Sequence, residues 1–193
     1  MVYNGGKQMK IRKGTWETNS SSTHSIAISK EKVDIPKGKT IRFNIGEYGW
    51  ENAVRSFPGY LYTCLLECED DVGLEKLKSI LDKWGVKYIF QKPKYIYWTD
   101  QVSGKQYRYL DYGYIDHCAE AHNIMWIILN DEDLLARALF GDSSVYTGND
   151  NQDYDDASDC WCAIETIWSE KEQKYVPNPD HDIEHYDYFF KGN

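Results

Sequence analysis

Between Asp71 and Gly85 the apolar residues Leu74, Leu77, Ile80, Leu81 and Trp84 recur every three or four positions. That spacing puts five large side chains on one stripe and predicts a helix over 71–84. Acids at 69 to 71 sit where the helix dipole favours negative charge, and Gly85 is placed to end the helix. On both sides the period drops to two. Residues 25–29 and 40–45 alternate apolar and polar, with Pro36-Lys37-Gly38-Lys39 as the turn between them. Residues 86–90, 94–98 and 106–117 read as strands rich in aromatic residues, with Ser103-Gly104 in a turn. Residues 60–68 and 119–140 read as helices, the second broken at Asn130-Asp131 and stopped at Gly141, and 160–169 reads as one more strand. This succession of periods predicts an α+β fold, a largely antiparallel mixed sheet with helices packed on it.

The 193 residues suit a single domain over 9–193. Residues 1–8 read as a disordered extension ahead of Met9. Apolar residues make up 41% and aromatics 15%, ample for a core. No stretch approaches the ~20 apolar residues that span a bilayer. Five cysteines without a regular framework read as reduced thiols in a cytoplasmic protein. The net charge of −9 is uneven: residues 1–45 carry nine basic and three acidic residues, and all the rest carry 13 and 28. Residues 142–159 hold six Asp and no Lys or Arg, and read as an acidic loop. Aromatics are not interleaved with a basic patch beyond residue 45, so no sequence-specific nucleic-acid binding is expected.

Chemistry concentrates in Thr18-Asn19-Ser20-Ser21-Ser22-Thr23-His24-Ser25, preceded by Lys10, Arg12 and Lys13. Small hydroxyl residues with exposed N–H groups can surround an anion, with Arg12 adding a charge-assisted contact. His24 can give or take a proton near neutral pH. The same residues can equally be a tight loop whose serines bond local backbone, with His24 packed on a sheet. Gly46-Glu47-Tyr48-Gly49-Trp50-Glu51 follows a strand and offers Glu47 as a carboxylate at an element end; Glu51 could also start a helix. Asp116 and Asp150 are further carboxylate candidates. Thr147-Gly148-Asn149-Asp150-Asn151 is a turn by composition, and with Asp153, Asp155 and Asp156 its oxygens would suit Mg²⁺ or Ca²⁺, although the EF-hand register is absent. No cofactor is otherwise expected.

Two sharper patterns fail. His181-Asp182-Ile183-Glu184-His185 matches H-x-x-E-H, but only eight residues follow to supply a third zinc ligand. Cys64-x-x-x-Cys68 and Cys160-Trp161-Cys162 lack the C-x-x-C pairing of structural zinc sites and read as small core residues.

The K-x-R-x-G of Lys10 to Gly14 followed by T-N-S-S-S-T-H-S resembles an N-terminal signature of a group of proteins from Firmicutes, their phages and mobile elements. The stretches 46–51, 60–63 and 147–151 are similar to the same group. The resemblance implies an origin rather than an activity. Joined to the charge distribution, it yields the leading expectation: an anti-defence protein of anti-CRISPR type that binds a host ribonucleoprotein, a type II effector first. An acidic face would then meet a cationic channel. The contact residues expected are Asn149, Asp153, Asp155, Asp156, Glu67, Glu69, Asp70 and Asp71. The alternative is a small enzyme acting on a nucleotide or phosphodiester. There Asn19, Ser20, Ser21, Ser22, Thr23 and Arg12 would hold phosphate, His24 would be general acid or base, and Glu47, Asp116 or Asp150 would be the carboxylate.

Overall fold

A computed structural model describes residues 22–51, 53–149 and 161–191. In chain order the elements are β1 (Ser22–Ser29), β2 (Thr40–Phe43), β3 (Glu47–Tyr48), β4 (Ala53–Arg55), α1 (Phe57–Glu67) and α2 (Asp71–Trp84). Then come β5 (Lys87–Phe90), β6 (Lys94–Thr99), β7 (Gln106–Asp111), β8 (Tyr114–Ile115), α3 (Cys118–Asn130) and α4 (Glu132–Phe140). The described residues close with β9 (Ser143–Asn149), a 3₁₀ turn at Trp161–Ala163, β10 (Thr166–Ser169), β11 (Lys174–Pro177) and β12 (Tyr186–Lys191). The fold is mixed α+β.

Its centre is an antiparallel sheet in the order β12-β1-β9-β4. Helices α1, α3 and α4 pack on one face, α2 lies against α1 and α3, and the 3₁₀ turn lies against β1 and β9. Ile26 and Ile28 of β1 join Phe57, Leu61 and Leu65 of α1, Met125 and Ile128 of α3, and Leu135 of α4 in one core. Alternation puts Ser22 and His24 in the same row as Ile26 and Ile28, on the side the helices cover. The polar end of β1 is therefore buried like its apolar end.

Helix α2 keeps the limits its periodicity sets. Asp70 caps it by accepting from Gly73 N at 2.8 Å, and Gly85 leaves it with φ of 68°. The long helical stretch does break at Asp131, whose carboxylate accepts from the N–H groups of Asp133 and Leu134 and so starts α4. No described helix is long and apolar enough to cross a membrane.

Five expectations are corrected. The acidic loop at 142–159 is a strand over its first part: 143–149 is β9, paired on both sides, so Thr147, Gly148 and Asn149 are not in a turn. Val145 and Thr147 point into the core there, and burial outweighs the turn-like composition. The strand expected over 106–117 is interrupted. Gly113, with φ of 74°, lets the backbone pass Gly46 so closely that an added Cβ would sit 2.3 Å from the Gly46 carbonyl oxygen. The segment then re-pairs as β8, parallel to β3. Around Cys162 the chain makes a 3₁₀ turn rather than a strand, and Glu51 lies in a bend before β4 rather than at a helix start. Beyond Pro177, where no element is foreseen, β12 supplies an outer strand of the main sheet. The extension expected at 1–8 lies outside the described residues.

Candidate functional site

The register of the main sheet aligns Lys191 of β12, His24 of β1 and Thr147 of β9 in one row across three strands. All three are at most 2% exposed, so each polar group must find a partner inside the protein. His24 Nε2 lies 2.9 Å from the Gly49 carbonyl oxygen, and Nδ1 lies 3.0 Å from the Tyr60 hydroxyl on α1. A carbonyl can only accept, so Nε2 carries the proton and Nδ1 accepts from Tyr60. Thr147 donates to the Glu51 carbonyl at 2.5 Å, tying the loop before β4 to the sheet.

Lys191 reaches along β1 to Ser22. Its ammonium donates to the Ser22 carbonyl at 2.9 Å and to the hydroxyl at 2.6 Å. The Ser22 side chain is bonded in turn to Asp116, which accepts from Tyr114 at 2.6 Å. A lysine, a serine and a carboxylate thus form a chain whose opposite charges offset each other within the protein.

The environment sets the protonation states. Burial, then the Lys191 charge, pushes the His24 pKa down to about 4, so the ring is neutral at pH 7. Burial acts against the Asp116 carboxylate, but bonds from Tyr114 and Ser22 and the charges of His117 and Lys191 outweigh it and hold its pKa below the ordinary value. Burial raises Tyr60 well above the usual phenol range.

Of the residues singled out from the sequence, Ser22, His24 and Asp116 come together here. Thr23 is half-buried, its hydroxyl enclosed without a hydrogen-bond partner. Glu47 is exposed on β3. Asn149 ends β9 opposite Ser22. Among the carboxylates expected to meet a partner, Glu67 accepts from Ile115 N at 2.6 Å, and Asp70 caps α2 and pairs with His122 at 2.8 Å. Both serve the fold. Glu69 and Asp71 are exposed. Arg12, Asn19, Ser20, Ser21, Asp150, Asp153, Asp155 and Asp156 lie outside the described residues.

Lys191 completes the cluster without any local sequence signal, and Tyr60 and Thr147, which fall in the stretches 60–63 and 147–151 noted in the sequence, join it through helix packing and strand register. A second feature did carry a signal. The β6–β7 ribbon interleaves Lys94, Tyr95, Tyr97, Trp98, Lys105, Tyr107 and Arg108. A basic and aromatic patch therefore does occur beyond residue 45. Its strands pair with each other and contribute nothing to the core. Arg108 lies over the Tyr95 ring at 4.1 Å, Lys105 over Tyr107 at 5.0 Å, and Trp98 against Tyr107 at 5.5 Å. Tyr95 is 53% exposed and Tyr97 62%.

No known protein family, curated protein or solved structure matches the chain.

Proposed function

We propose that this protein acts by binding: an anti-defence protein of a phage or mobile element that inhibits a host nucleic-acid-processing complex, in the manner of an anti-CRISPR protein. The observation that carries the binding reading is the exposed β6–β7 ribbon. A two-stranded ribbon outside the core is marginal in water and gains little by holding Trp and Tyr in solvent. Tyr, Trp and Arg are the side chains that dominate binding hot spots. Stacking on Arg108 and Lys105 keeps the rings ordered before a partner arrives, which lowers the entropy lost on association. The acidic remainder of the chain supports a partner with a cationic channel, and a type II effector is the first to test.

The test is guided DNA cleavage by a type II nuclease–guide complex titrated with this protein. Inhibition saturating near one protein per complex, retained by His24→Gln and lost on combining Trp98→Ala with Tyr107→Ala, is the expected result. Inhibition that ignores the ribbon, or its absence at every ratio, refutes the reading.

The alternative, an enzyme acting on a nucleotide or phosphodiester, draws on one observation: Ser22, His24 and Asp116 do meet. Inhibition far below stoichiometric amounts, abolished by His24→Gln in a folded variant, would favour it. The neutral, enclosed imidazole, with both nitrogens engaged, weighs against His24 as a proton carrier.

A further inference from the structure

Cys64, Cys68 and Cys118 meet where α1 ends and α3 begins, and their sulfur atoms all lie within 4.8 Å of one another. Cys68 and Cys118 sulfurs are 3.1 Å apart, and those of Cys118 and Cys64 are 3.7 Å apart. Cys64 and Cys68 share a helix face at i, i+4, and Cys118 is the first residue of α3. From this geometry we infer a three-thiolate site for a thiophilic d¹⁰ cation, Zn²⁺ or Cu⁺.

Four thiolates around zinc at about 2.3 Å would be spaced roughly 3.8 Å apart, and three of those positions are close to what these sulfurs occupy. Thiolates suit soft cations, Cu⁺ accepting three and Zn²⁺ adding a water at the side where Cys68 is half-buried. The carbonyl end of α1 at Cys68 is negative and favours a positive ion there. Three thiols in contact cannot ionise together without a cation between them, so metal uptake releases their protons to solvent. This inference is independent of the binding ribbon, which lies on other elements.

The experiment is a titration of the reduced, metal-stripped full chain with Co²⁺, and separately with Cu⁺, under argon. A thiolate-to-cobalt charge-transfer band should saturate at one ion per chain and disappear when Zn²⁺ is added. Cys118→Ser should weaken binding by about tenfold or more, and Cys162→Ser should leave it unchanged. Because Cys118 is buried, half-exposed Cys68→Ser is the second variant, with circular dichroism to confirm folding. Saturation by Cu⁺ alone selects the trigonal ion. The inference is overturned if neither ion binds while all five thiols are free, if binding survives both serine variants, or if the protein isolated under argon carries a Cys68–Cys118 disulfide.

Discussion

Lys191, the last residue of β12, donates to both the carbonyl and the hydroxyl of Ser22 in the first described strand. The ammonium is thereby held inside the sheet, joining β12 to β1 beyond their backbone ladder. Replacing it with Met would leave the Ser22 carbonyl unsatisfied and remove the positive charge facing Asp116. Lys191→Met is expected to cost about 2–3 kcal/mol in urea unfolding. A cost under half a kcal/mol would show that the bonds are not formed.

The buried imidazole of His24 makes stability depend on pH. The unfolded chain takes up a proton near pH 6.5, whereas the folded ring resists protonation until about pH 4. Its contribution is complete above pH 6.5, falls as pH drops through that window, and levels off below 4, a loss of about 3 kcal/mol. His24→Gln should flatten that part of the profile. Equal slopes for the two proteins between pH 6.5 and 4 would mean that His24 is solvated.

The β6–β7 ribbon should be dispensable for folding. Trp98→Ala combined with Tyr107→Ala is expected to change unfolding free energy by no more than about 0.5 kcal/mol, as for surface positions away from the core. Thermal unfolding checks this directly, and a loss several times larger would place the ribbon among the folding elements.

Asp70 does two jobs, capping α2 and pairing with His122. Asp70→Ala should cost about 1–2 kcal/mol, and Asp70→Asn, which keeps a capping oxygen, distinctly less. Its carboxyl pKa is held below the ordinary value: burial opposes the charge, but the Gly73 N–H and His122 prevail. That stability is present above pH 3.8 and disappears as pH falls through the folded value. Identical midpoints for Asp70→Asn and Asp70→Ala would remove capping as the cause.

Acidic residues illustrate how far composition leads. Glu67, Glu69, Asp70 and Asp71 look alike in the sequence, yet two are consumed by neighbouring backbone and side chains and two face solvent. Residues 143–149 have loop-like neighbours and become a strand, because β1 and β4 flank them and supply hydrogen-bond partners on both edges. Cys64 and Cys68 carry no recognisable zinc spacing, since their third member stands 50 residues beyond Cys68.

The helices α2, α3 and α4 and the apolar half of β1 follow from sequence alone, because period, caps and glycine act within a few residues. The grouping of Ser22, His24 and Asp116 with Lys191 and Tyr60 does not, and neither does the meeting of three thiols. Those depend on strand register and on which helix covers which face. Tertiary packing decided them by burying polar groups that local sequence would have left in water, and each then had to find its partner far along the chain.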